Sequence, residues 1–389
     1  MALSLLPTAD PSARAADVLA AARAFAGRAA ARAARADDTA DFAPDLDDLR
    51  QSGLLMAPVP RAQGGHGLGT EPGRDHALYA LLREIGRGSL PVGRVYEGHV
   101  NALVLVDAFG TEAQRARAAA DAADGHLFAV WNTEIPSSGV RLTPTLDDGV
   151  EMAGAKTFTS GLGSVTRPVV PGTLPDGRRQ MVLVPLDAVD TDQDAGWWTA
   201  RGMRASRSGR CSFQGVTLGR DAVLGGPDDY LCEPLFSGGS SRFAAVQLGG
   251  ATALAEAAAD HLRALGRTDN ETQRLRLGRA ELALETGALW LAGAARLARA
   301  AREGRASDAD VVTYAQGVRS AIEAACLDVM DLVDKAVGAR GLLPPSPVER
   351  VGRDLRLYLR QPAPDATLAA VGQAAVERPR RPRGSDPLL

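Results

Sequence analysis

The side chains most often used for chemistry are poorly placed for the commonest kinds of it. Five histidines and three cysteines (Cys211, Cys232, Cys326) lie scattered, with neither metal-ligand spacing nor a CxxC pair. That pattern argues against a zinc centre, a redox dithiol and a disulfide framework. The glycine run "RAQGGHGLG" at 61–69 is not followed by Gly-Lys-Ser/Thr and has no strand-turn-helix frame, so it is neither a Walker loop nor a dinucleotide fingerprint. What remains are hydroxyls, amides, an aromatic ring and glycines in three runs: "VWNTEIPSSG" at 130–139, "GAKTFTSG" at 154–161 and "KAVGARGL" at 335–342. A fourth run, "VERVGRDLRLYLRQPAPD" at 348–365, carries an Arg-Asp pair and then Gln361, Pro362, Ala363 and Pro364. Taken singly, Thr133 reads as a strand residue and Phe158 as a core residue. Their chemistry depends on what brings the runs together.

The elements that would do so are legible in outline. The chain has 389 residues, 45% hydrophobic and 23% charged, which suits a globular protein with a sizeable core. Aromatics are only 4%, leaving Ala, Leu and Val to do most of the packing. A net charge of −3 argues against a general nucleic-acid binder. No apolar run reaches membrane-spanning length, and the start lacks a basic n-region, so a native N-terminal helix and a cytoplasmic protein are expected. Helical periodicity predicts helices over 12–37, 73–87 and 97–124, with Thr111 as an N-cap. From about 127 to 227, short β-like runs alternate with turn residues, predicting an antiparallel β-domain. Long helices follow over 241–265, 270–303, 307–339 and 346–360, with Leu275, Leu282 and Leu289 as part of their apolar pattern. The expected fold is α+β: an N-terminal helical domain (1–125), a β-domain (126–228), a C-terminal four-helix bundle (229–376) and a disordered tail, 377–389.

This order of units, together with the runs above, resembles the acyl-CoA dehydrogenase superfamily over most of the chain. The resemblance implies an FAD-dependent oxidoreductase. It places Val130, Asn132 and Thr133 along the flavin edge, with Ser138 as a further hydroxyl, although Ile135 stands where the family has Pro. It sets Phe158 in the aromatic position and Ser160 in the hydroxyl position beside the ring system. "RGMRASRSGRCSFQGVTLGRDAVLG" (201–225) is similar to the strand pair that closes the family's β-domain, with Ser206 toward the substrate channel. "SSRFAAVQLGG" resembles the start of the bundle, with Arg242 at the channel. Gly338 and Gly341 match a turn whose backbone approaches the cofactor of a neighbouring subunit, with Arg267 or Arg263 on the pyrophosphate. Lys335 and Ala339 depart from that turn's pattern. A homo-oligomer, dimer or tetramer, is implied.

The family's dehydrogenation of an acyl thioester needs a carboxylate to take the α-proton while the flavin takes the hydride. The position that supplies it in the last helix falls on Pro362, and the alternative position beside Arg242 holds Ser241. Asp365 and Glu97 in "VYEGHV" are the replacement candidates, Glu97 the preferred one because a helix carries it, with Tyr96 at the same pocket. The leading expectation is therefore α,β-dehydrogenation of an acyl thioester with an electron-acceptor flavoprotein as partner. The alternative is a flavin monooxygenase of the same fold served by a flavin reductase, with Tyr96 and His99 in its pocket, or a catalytically silent flavin-binding member. No metal is expected.

Overall fold

The computed structural model describes residues 11–377, so nearly all of the expected tail lies outside the described residues. The chain opens with α1 (Pro11–Thr39), α2 (Ala43–Gln51), α3 (Asp75–Gly88), α4 (Leu90–Phe109) and α5 (Glu112–Ala123). α1 is built from strong helix formers and buries Ala22, Phe25, Ala26 and Ala29 at helical spacing toward α3. α4 is buried on nearly every face, so it runs through the centre of the molecule. Ser89 caps its start by accepting from the Val92 N–H at 3.4 Å. The helix expected over 97–124 is in fact two. Extended backbone at Gly110 ends α4, and a reciprocal capping box between Thr111 and Gln114 opens α5.

The β-region holds β1 (Phe128–Val130), β2 (Arg141–Pro144), β3 (Val150–Ala153), β4 (Ala155–Thr159), β5 (Arg167–Thr173), β6 (Arg179–Leu183), β7 (Asp192–Asp194), β8 (Gly209–Ser212), β9 (Val216–Leu218) and β10 (Val223–Leu224). The larger sheet runs β10-β6-β5-β2-β3-β9, and the smaller runs β4-β8-β7. Pairing is mainly antiparallel, as short turns demand. β1 instead joins β5 in parallel, with Val130 opposite Val169, because the chain between them passes through three other strands before returning. β2 also meets β5 in parallel at Arg141 and Thr173.

The closing helices are α6 (Leu235–Ala264), α7 (Glu271–Arg302), α8 (Asp308–Gly341), α9 (Pro347–Tyr358) and α10 (Pro364–Glu377). α6 crosses α3 closely: a Cβ at Gly86 would overlap the Val246 carbonyl, and one at Gly249 the Arg83 carbonyl. One expectation needs correction here. Leu275, Leu282 and Leu289 do not pack inward; they are 63%, 71% and 59% exposed, because their seven-residue spacing lines them on the outer face of α7. The inner face is instead Ala280, Leu284, Gly287 and Leu291. α9 stops at Tyr358, ahead of the prolines, and Pro364 starts α10, which lies on α8.

The Arg-Asp pair of α9 ties units together. Arg353 pairs with Asp37 of α1 at 2.8 Å. Asp354 is buried and accepts from the Met203 N–H at 2.6 Å, and burial pushes its carboxyl up to about 7.

Candidate functional site

A cavity of about 590 Å³ opens where α4, the β1 and β4 ends, α6 and the α9–α10 junction meet. α4 contributes Arg94, Glu97, Gly98, Asn101 and Leu105, the i, i+3, i+4 stripe of one helical face. Tyr96 and His99 are therefore on the opposite face. The Tyr96 hydroxyl donates to the Leu54 carbonyl at 2.6 Å, and the His99 Nε2 meets the Leu55 carbonyl at 2.8 Å while its Nδ1 accepts from the Phe128 N–H. Burial lowers His99 to about 4, so it stays neutral. Both residues are core, not pocket, which corrects the substrate-binding reading of Tyr96.

Glu97 does reach the cavity, but it is 3% exposed and each of its oxygens already accepts a hydrogen bond. One oxygen accepts from Arg94 Nη1 and the other from Asn101 Nδ2, while Arg242 Nε donates to Asn101 Oδ1. Burial raises the Glu97 carboxyl, and the charges of Arg94 and Arg242 pull it back. Arg94 and Asn101 each donate to one Glu97 oxygen, and Arg242 joins them through Asn101. Asp365, the other candidate base, is exposed on the first turn of α10 and does not line the cavity; Pro362 does.

From the β side come Val130, Asn132, Thr133 and Phe158. Three observations explain how they are presented. Lys156, wholly buried, donates to the Asn132 carbonyl at 3.0 Å and to Glu134 at 2.5 Å, and Arg179 bridges Glu134 at 3.0 Å and the Asn132 side chain at 3.1 Å. The Thr157 N–H donates to the Thr133 carbonyl at 2.9 Å, so the two sequence runs are stitched together. The β4–β8 register then slips at Phe158, whose φ of 53° lies in the left-handed region. This bulge turns the ring out to 38% exposure, edge-on to Trp197 and Trp198 at centroid distances of 5.0 and 5.8 Å.

The remaining expected site residues lie elsewhere. Ser160 and Ser206 are buried, both bonded to Ser208 at 2.8 Å. Ser138 is half-buried in the turn before β2, outside the cavity wall. Gly338 forms a kink in α8 with φ 64°, Gly341 is buried nearby, and Arg267 and Arg263 are exposed beyond the end of α6 and in its last turn. Sequence reasoning missed Arg94 and Asn101, although helical stagger from Glu97 points to both. It also missed Tyr358, four residues before Pro362, which lines the cavity with a buried hydroxyl that has no hydrogen-bond partner.

Known proteins share this architecture. The acyl-CoA dehydrogenase N-terminal domain matches residues 12–126, and the acyl-CoA dehydrogenase C-terminal domain matches 241–359. A dibenzothiophene monooxygenase of Mycolicibacterium goodii is 28% identical over 84% of this chain and 86% of its own length. The FMN-bound structure of TdsC, the dibenzothiophene monooxygenase of Paenibacillus sp. A11-2, superposes with TM-score 0.83 at 21% identity, covering 92% of this chain and 97% of that one. Butyryl-CoA dehydrogenase of Megasphaera elsdenii superposes with TM-score 0.81 at 18% identity, covering 97% and 100%. Matched at both ends by the family's domains and folded throughout like one of its dehydrogenases, the chain belongs to the acyl-CoA dehydrogenase superfamily.

Proposed function

We propose that this protein is a flavin-dependent monooxygenase that takes reduced FMN from a flavin reductase and adds one atom of dioxygen to a small organic substrate. One observation carries the reading. Among the described residues, Glu97 is the only carboxylate on the cavity wall, and both of its oxygens are occupied by Arg94 and Asn101. A dehydrogenase needs a free carboxylate there to accept the α-proton. A monooxygenase does not. The names of the related dibenzothiophene monooxygenases support the same choice, and with it a small organic substrate rather than an acyl thioester.

The cavity's lining suits a flavin. Phe158 offers a flat apolar face, Thr133 and Asn132 offer polar groups along one edge, and the Tyr358 hydroxyl is a buried donor awaiting an acceptor. Reduced flavin, when bound, supplies the electron pair with which one oxygen atom of dioxygen enters the substrate and the other leaves as water. The chain's own part is to hold the ring edge with the 130–133 segment, to exclude water with Leu105, Leu235 and Phe243, and to keep the wall rigid through the Arg94–Glu97–Asn101–Arg242 chain. FMN is preferred to FAD because Lys335 and Ala339 interrupt the turn expected to meet an adenosine half. Anaerobic addition of acyl-CoA thioesters of several chain lengths to the protein loaded with oxidised flavin should leave the flavin absorbance unchanged. Bleaching would restore the dehydrogenase reading.

Self-association is part of the proposal. Leu275, Leu282 and Leu289 stand exposed in line along α7, and a second copy of the chain is their proposed cover. Light scattering on the purified protein should give a mass of at least a dimer; a monomer would leave this face unexplained.

A further inference from the structure

Four charged side chains line the cavity beside α4: Arg94, Glu97, Arg242 and Arg360. Arg94 is paired with Glu97, and Arg360 shares Glu323 with Arg319. Arg242 has no carboxylate within ion-pair distance among the described residues; its Nε donates to the Asn101 side-chain oxygen, a neutral group. Its terminal nitrogens lie over Gly238 and Gly239, 3.8 and 3.7 Å from where Cβ atoms would stand, and Arg242 lines this cavity as well as the neighbouring one that holds Asp75 and Tyr79. The other unpartnered polar groups on this wall are the Tyr358 hydroxyl and the Arg94 Nε–H, both buried. Burial raises the Tyr358 phenol well above its ordinary range, so it remains a donor. The wall thus presents an excess of donors beside a cation that feels Glu97 and Asp75 only beyond ion-pair distance and has no ion-pair partner of its own among the described residues. Buried charges are normally paired, and the missing partner points to a ligand. The apolar side of the same cavity is Leu105, Leu235, Phe236 and Phe243.

We propose that the cavity is built for an organic anion, a compact molecule whose carboxylate, sulfinate or sulfonate group docks on Arg242 while its apolar body lies against Phe236 and Phe243. Calling this anion the substrate rests on the monooxygenase reading; the docking itself does not. Arg242 provides a planar fork that matches two oxygens of such a group.

Calorimetric titration of the purified full chain with benzenesulfinate and with neutral methyl phenyl sulfoxide tests the docking without turnover. The anion is expected to bind about tenfold or more tightly than the sulfoxide, the range of a charge-assisted hydrogen bond. Arg242→Gln should abolish that preference while still binding the sulfoxide as the parent does, and Arg242→Lys should keep part of it. Saturating FMN should leave the anion's affinity in place. Equal affinities in the parent, no measurable anion binding, or a preference that survives Arg242→Gln would each overturn the proposal. Displacement of the anion by FMN would do so too, by assigning Arg242 to the cofactor's phosphate. Should Arg242→Gln fail to fold, the parent's anion-to-neutral ratio and the Lys variant still decide. Because binding is read alone, a protein that binds the anion yet oxygenates nothing would count against the enzymatic reading and not against this site.

Discussion

Replacing Glu97 by glutamine is expected to lower the stability of the fold by about 2–4 kcal/mol, because it removes one member of a buried ion pair and leaves the other uncompensated. The lower part of the usual range applies, since the Arg94 side chain keeps 19% of its surface in solvent. The change also disturbs a chain of contacts. Asn101 bonds Glu97 with its amide and Arg242 with its carbonyl oxygen, so an uncharged residue at 97 loosens two neighbours on α4 and one on α6. Urea unfolding followed by circular dichroism would show the midpoint fall with an unchanged slope. A carboxylate kept free to move protons would behave otherwise: its glutamine variant would fold as stably as the parent and lose only turnover. The same measurement thus separates a wall-building Glu97 from a catalytic one.

Lys156→Met is expected to weaken both the fold and flavin binding. Lys156 is wholly buried and holds the 132–134 segment by its carbonyl and its acid. Methionine fills similar space but gives the Asn132 carbonyl no donor, an unsatisfied group worth about 1–3 kcal/mol. Glu134 retains Arg179. Flavin affinity should drop about tenfold, the equivalent of about 1.4 kcal/mol, as the segment that presents Asn132 and Thr133 loses its anchor. There is also a pH signature. Burial lowers the Lys156 ammonium to about 8 from its ordinary 10.5, against the opposing pull of Glu134. Between those values the unfolded chain binds more protons at this residue than the folded one does, so the parent gains stability as pH rises through the window. The methionine variant should lack that gain. Parallel parent and variant curves across the window would show that the lysine's environment does not disfavour its charge.

The fold was largely readable because its signals are local. Ala-rich periodicity, turn residues between short β-runs and capping at Thr111 need no knowledge of distant contacts. The site was half readable. Thr133 and Phe158 sit in recognisable runs, and the structure brings both to one cavity. The bulge that turns Phe158 outward left no mark in the letters, because it arises from β4–β8 register, a long-range property. Tyr96 and Glu97 show the limit of naming a segment without its phase. They are adjacent in sequence, yet α4 sends one ring to the core and one carboxylate to the cavity. The leucines of α7 failed for a related reason: periodicity identifies an apolar face but not whether the chain itself or another copy covers it. The missing base was visible from the start in Pro362. That both Glu97 oxygens are already hydrogen-bonded depended on Arg94 and Asn101 being one turn away on either side.

Oxygen incorporation tests the central claim most directly. The full chain would be supplied with FMN, an NADH-dependent flavin reductase and isotopically labelled dioxygen, with benzothiophene and benzenesulfinate as substrates. The account predicts a benzothiophene S-oxide or a benzenesulfonate carrying one labelled oxygen atom, formed only while the reductase keeps FMN reduced. Absence of label from every product, together with anaerobic bleaching of bound flavin by an acyl-CoA and formation of the enoyl thioester, would contradict it.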